Sequence, residues 1–232
     1  MAGEIVKTEG TVLRIVPWSR TSHVVTWLTP DHGPVTTLVK GAVRPKSAFL
    51  GQYDLFYTCD LLYYARTSGG LHAIREVVPT SMREGLRGRW RETALAGYAA
   101  DLVREPAPSG QEAREWHVFL SGFLDDLAVH GAGARCRMLI RLEMSLLRLA
   151  GLTPNFSGMD PAAEWTAFSI DRDRCGDGVR TVRLSPGTVA ALRGVPGRGD
   201  DDAVRFLGLF LAYHLDRPAD VRRSLVALLS GS

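Results

Sequence analysis

Near Pro79 the apolar period of this chain switches from two to between three and four, which a single strand-only or helix-only layer cannot satisfy. Upstream, five short segments rich in β-branched and aromatic residues are punctuated by turn formers. Residues 5–16 form the first. Residues 23–29 (HVVTWLT) form the second, closed by Pro30-Asp31-His32-Gly33, and residues 34–39 (PVTTLV) follow at once, so the pair reads as a hairpin. In residues 52–65, Leu55, Tyr57, Cys59, Leu61 and Tyr63 make one apolar face. Phe56, Thr58, Asp60, Leu62 and Tyr64 make a more mixed one, expected nearer solvent or a second domain. After Thr67-Ser68-Gly69-Gly70, residues 71–78 give a last strand. Five such strands imply a small closed or half-closed barrel.

Downstream the pattern is helical. Ser81-x-x-Glu84 and Ser109-x-x-Glu112 have the form of capping boxes. Trp116, Leu120, Phe123, Leu124 and Leu127 mark one apolar stripe, ending near Gly131. Residues 135–150 make a second helix, with Met138, Leu139, Leu142, Leu146 and Leu149 inward and Gly151 as its terminator. Ser185-Pro186 opens a third in N-cap/N1 fashion. Asp200-Asp201-Asp202 sets negative charge at the positive end of the next, residues 203–215, broken by Asp216-Arg217-Pro218. Residues 221–229 close the chain. Residues 165–170 and 179–184 are expected to pair as a small hairpin around an Asp- and Arg-rich loop. The fold class is therefore α+β: a barrel in residues 1–79, then a helical domain in residues 80–232 carrying the hairpin at about 155–184.

The 232 residues carry a net charge of +3, unevenly spread. Residues 1–80 hold 8 basic and 6 acidic residues, whereas residues 151–232 hold 10 of each, so an anion-binding surface belongs to the first half. The three cysteines are scattered and fit a reducing compartment. No export signal or bilayer-length apolar run is visible, and a cytoplasmic, nucleoid-associated location is the expectation. There is no G-x-x-x-x-G-K-[ST], H-E-x-x-H or G-x-S-x-G motif, and no carboxylate pair is marked out for acid–base work. No catalytic activity and no cofactor are expected. Arg198-Gly199-Asp200 is read as a chance tripeptide.

Residues 40–49 (KGAVRPKSAF) hold two of the three lysines, with Arg44 between them. Such a loop reads either as a solvated turn or as a phosphate-backbone contact. Glu9-Gly10-Thr11-Val12-Leu13-Arg14, the segment from Thr26 to Gly33 (TWLTPDHG), the segment from Val39 to Ser47 (VKGAVRPKS) and Cys59-Asp60-Leu61-Leu62-Tyr63-Tyr64 together resemble, in order and spacing, the RecO family of bacterial DNA repair and recombination mediators. Gly151-Leu152-Thr153-Pro154 and Leu184-Ser185-Pro186-Gly187 are weaker echoes.

The resemblance implies an OB-fold barrel that binds single- and double-stranded DNA, strand annealing, and work with RecR that displaces single-strand binding protein so that RecA loads. On that barrel Lys40, Arg44 and Lys46 are the expected phosphate contacts, with Ser47 as a hydroxyl donor and Arg14 and Arg20 extending the track. Trp18, Trp27, Phe56 and Tyr64 are either stacking platforms or packing, with packing favoured for Trp27 and Tyr64 kept among the DNA-binding candidates. Arg83, Arg87, Arg89 and Arg91 read as a solvated helix face beside Glu84 and Glu92, the alternative being an extension of the DNA surface. The family's helical domain docks the acidic tail of single-strand binding protein, for which Arg135, Arg137 and Arg141 beside Leu139 and Leu142 are chemically suited. Many family members hold zinc with two C-x-x-C pairs; here Cys175 stands alone, and no metal is expected. The same loop and rings would also serve an OB-fold module that binds RNA or a protein without annealing.

Overall fold

The period-two segments become β1 (Glu4–Ser19), β2 (Ser22–Thr29), β3 (Gly33–Val39), β4 (Thr58–Ala65) and β5 (His72–Ser81). The computed structural model in which they are seen describes residues 4–66, 71–131, 135–196, 199–215 and 219–230, with backbone only at Arg135 and Ala219. The expected turn at 67–70, the Asp216-Arg217-Pro218 break and Arg198 lie outside the described residues.

The strands close a barrel in the order β1-β2-β3-β5-β4. Long β1 pairs antiparallel with β4 through its first half and with β2 through its second. A short parallel contact, Thr37↔His72 and Leu38↔Ala73, joins β3 to β5. This is the OB arrangement. Val12, Val25, Trp27, Val35, Val39, Cys59, Leu61 and Tyr63 fill the interior. Trp27 is fully buried, and its indole N–H donates to Thr37 Oγ1 at 2.9 Å, so it is core.

The fourth strand is shorter than its alternation predicts. Residues 52–57 form turns, with the Tyr57 N–H donating to Asp54 O at 3.1 Å and Phe56 at a φ of 68°. Leu55 is exposed, whereas Phe56, assigned to the wetter face, is buried. Backbone turns break the period there while the residue types still alternate. β5 continues through Pro79, which faces Cys59, and a register slip just beyond leaves Thr80 as the extra residue.

Residues beyond the barrel hold a helix the sequence reading missed, α1 (Trp90–Arg104). Its buried face includes Leu95, Ala96, Ala99, Leu102 and Val103, and its alanines weaken the apolar signal. α2 (Ala113–His130) buries the predicted stripe and ends at Gly131. Neither expected capping box forms. Ser81 is the last residue of β5, and Ser109 is separated from α2 by the 3-10 turn Gly110–Glu112 and makes no side-chain cap bond. The barrel, α1 and α2 make one compact unit, Met1–Gly131.

The second unit, Ala132–Ser232, holds α3 (Arg135–Leu149), α4 (Pro186–Leu192), α5 (Asp200–His214) and α6 (Ala219–Ser230). The expected hairpin, β6 (Thr166–Ser169) with β8 (Thr181–Leu184), gains a short third strand, β7 (Arg174–Cys175), in the order β7-β6-β8. α3 ends as predicted: Gly151 takes a φ of 69°, and the Leu152 N–H returns to Leu147 O at 2.7 Å. The Ser185 hydroxyl caps α4 by accepting from the Thr188 N–H at 3.1 Å, with Pro186 at N1. The three aspartates lie inside the first turn of α5 rather than before it. Phe156, Phe168, Phe206 and Phe210 stack between the small sheet and α5. Fully buried Glu143 accepts two bonds from Arg222, at 2.7 and 2.8 Å, tying α3 to α6. No helix of the described residues is long and apolar enough to cross a membrane.

Candidate nucleic-acid interface

Strand pairing lines up residues on the outside of the barrel. Val16 pairs with Val24, Val24 with Leu38, Leu38 with Ala73, and Ala73 with Tyr64. Directly paired residues share a face, so these five form one outward row that runs through all five strands of the closed barrel, and its stretch Val16, Val24 and Leu38 marks one wall. The row beside it runs Arg14, Thr26, Thr36. Arg14, Val16 and Tyr64 are exposed; Val24, Thr26, Thr36, Leu38 and Ala73 are partly so. Tyr64, on β4 at the far end of that row, faces outward from another side of the closed barrel than the β2–β3 wall beside Arg14.

At one end of this wall the β1–β2 hairpin tip meets the loop after β3. The Val43 N–H donates to Thr21 O at 3.3 Å, and the Gly41 N–H to the Ser22 hydroxyl at 3.2 Å. Gly41 adopts a φ of 68°, and a Cβ there would lie 3.2 Å from the Arg44 side chain folded over it. Successive turns follow, with Ser47 N–H to Arg44 O at 2.9 Å and Gln52 N–H to Phe49 O at 3.1 Å. Buried Ala42 pins the loop to the core, and Phe49 and Tyr53 pack against it; the Tyr53 hydroxyl meets His23 Nδ1 at 2.8 Å. The loop is therefore held by its apolar residues, and its cations are left to solvent. Arg20, Lys40, Arg44 and Lys46 are exposed and Ser47 partly so. Among the described residues none of Arg14, Arg20, Lys40, Arg44 and Lys46 pairs with a carboxylate. The fold brings Arg20, Lys40 and Arg44 to one end, with Arg14 down the adjoining wall.

The basic run past the barrel is not one solvated face. Arg83 is buried. Its Nε donates to Asp125 Oδ1 at 2.7 Å, and its Nη1 to Phe56 O at 2.6 Å and Thr58 Oγ1 at 2.8 Å, joining α2 to the barrel. Arg87 bonds the Tyr57 hydroxyl, and Arg91 stacks on Trp90 at 4.7 Å. Beside Arg83, Thr11 Oγ1 meets Thr58 Oγ1 at 2.9 Å, and His117 Nε2 and Ser121 Oγ at 3.2 Å. Burial, and then the Arg83 charge, push the His117 imidazole down to about 4, so it is neutral at pH 7.

In the second unit, α3 and residues 191–196 enclose a groove of about 380 Å³. Ile140, Met144, Leu192 and Val195 supply its apolar lining, and Arg137, Arg141, Arg148 and Arg193, with the carboxylate Asp200, its charge. Arg137 donates to Asp200 at 2.9 Å. Leu139 and Leu142, expected to form the slot, are core instead, one helical step from the groove. The Arg135 side chain lies outside the described residues. Arg148 on α3 and Arg193 at the C-terminal end of α4 were not singled out by the sequence; they share a groove only because the two elements pack.

Cys175 sits partly buried on β7, and burial pushes its thiol pKa up. Among the described residues no three His, Cys, Asp or Glu side chains group to hold a metal.

The family model described as Recombination protein O N terminal matches residues 1–83, and that described as Recombination protein O C terminal matches residues 87–223. The chain is 31% identical to the DNA repair protein RecO of Anaeromyxobacter sp. (strain K), with 95% of each chain covered. It is 34% identical to that of Rhodopirellula baltica over 62% of this chain and 52% of the relative.

Proposed function

This chain belongs to the RecO family of DNA repair proteins, and from that premise we propose that residues 1–79 are its DNA-binding domain, acting on single and double strands. The supporting observation is the set of unneutralised cations Arg14, Arg20, Lys40, Arg44 and Lys46 on one wall and one end of an OB barrel. Phosphates passing along the tip and loop exchange condensed counterions for these groups, a gain that needs no sequence-specific contact. Ser47 adds a hydroxyl donor beside Lys46, and Tyr64 an exposed ring farther round the barrel. Two strands screened from each other's charge on such a surface anneal without bond chemistry. In this reading the protein anneals complementary strands and, with RecR, helps RecA onto DNA coated by single-strand binding protein. The groove on α3 suits the tail of that coat protein: an apolar floor for a terminal hydrophobic side chain, and guanidinium groups for the terminal carboxylate.

The test is binding of a fluorescein-labelled oligonucleotide, by anisotropy, over a salt series. The K40A/R44A/K46A variant is expected to bind more weakly, with a log–log salt slope shallower by about 2 (roughly 0.7 per lost phosphate contact on a single strand). An unchanged affinity and slope refute the assignment. An unlabelled RNA of the same sequence that competes better than DNA favours an RNA module instead.

A further inference from the structure

Building on the DNA-binding reading, we infer that Trp18 is the residue by which the barrel distinguishes unpaired bases from duplex. Trp18 is 63% exposed. It has no ring or cation partner among the described residues, although the other aromatics at this end of the barrel are engaged: Trp27 with Tyr53, and Tyr53 with His23.

Its placement is specific. The β1–β2 register advances by two residues on β1, Pro17 to Ser19, while moving one on β2, His23 to Ser22. Trp18 is therefore the extra residue of a β-bulge. A bulge turns its side chain out of the alternation, and bulges recur where a side chain must be re-aimed. The bulge lies at the hairpin tip, next to Arg20, and the Val43–Thr21 and Gly41–Ser22 bonds hold that tip against the loop carrying Lys40 and Arg44. One flat ring is thus framed by cations belonging to two connected loops. The cations take phosphates of either single or double strands. The ring takes the face of a base, and in a duplex that face is already stacked on its neighbours. The β1–β2 loop of an OB barrel is also an edge along which such barrels hold oligonucleotides.

The experiment compares wild type, W18A, W18F and K40A/R44A/K46A, each checked for an unchanged melting temperature, against an oligothymidine and a blunt duplex of equal length at fixed salt. W18A is expected to lose about tenfold or more in affinity for the single strand, with less than about twofold change for the duplex, and W18F to recover most of the loss. Tryptophan emission of the wild type should be quenched by the oligothymidine, and this quenching should fall in W18F. Equal losses on both ligands, or none on either, overturn the role of Trp18. If the triple variant weakens binding while W18A does not, the DNA-binding surface stands and only this inference fails. If neither variant matters, both fall.

Discussion

At the level of single residues, most of the chemistry belongs to arginines and histidines whose roles depend on burial rather than on type. Arg83 and Arg44 are alike in sequence, yet one is sealed under α2 and the other faces water. His117 shows how far burial reaches. Its folded pKa is depressed to about 4 from an ordinary 6.5. Between those values the unfolded chain binds a proton that the folded chain refuses. Its contribution is therefore complete above pH 6.5 and is lost as pH falls toward 4, by up to about 3 kcal/mol. Urea unfolding at pH 7.5 and pH 4.5 should show this loss, and H117Q should flatten it. An equal loss in H117Q would place the acid sensitivity elsewhere. Trp18 was legible as a ring that either stacks on bases or packs; its exposure depends on a register slip that no local pattern announces.

Among the elements, strands were read well where both faces differ and poorly where turns mimic alternation. β2 and β3 carry strict patterns around a Pro-Asp-His-Gly turn, and their bounds follow. Residues 52–57 alternate in type but turn in space, because Asp54 supplies a local carbonyl acceptor and Phe56 enters the left-handed region. α1 escaped notice because alanines bury little surface each, while its neighbours α2 and α3 declare themselves through leucines. α3 presents two faces with different tasks: Leu139, Leu142 and Leu146 in the core, Arg137 and Arg141 toward the groove. An R137A/R141A variant is expected to bind an acidic peptide with a free, hydrophobic C-terminal residue about tenfold more weakly in fluorescence anisotropy. The same peptide with an amidated end should bind wild type as weakly. Equal affinity of wild type and variant would remove the groove from consideration.

For the whole molecule, the expected activity is annealing of complementary oligonucleotides with neither ATP nor added metal, monitored by loss of a dye-binding single strand or by energy transfer. It should decline as salt rises, since the drive is counterion release. Annealing that requires a nucleotide or a divalent ion would sink this mechanism. The sequence alone determined the α+β division, the identity of the strands, the family, and which loop is cationic, because period, turn chemistry and charge are local and additive along a chain. Only the tertiary structure decided that α1 and α2 pack with the barrel, that Arg83 is a buried tie, that Phe56 is inside and Trp18 outside, and that Arg148 and Arg193 share a groove with Arg137. Burial and proximity arise from which distant segments meet, and closing those contacts spends chain entropy that no short window of residues can register.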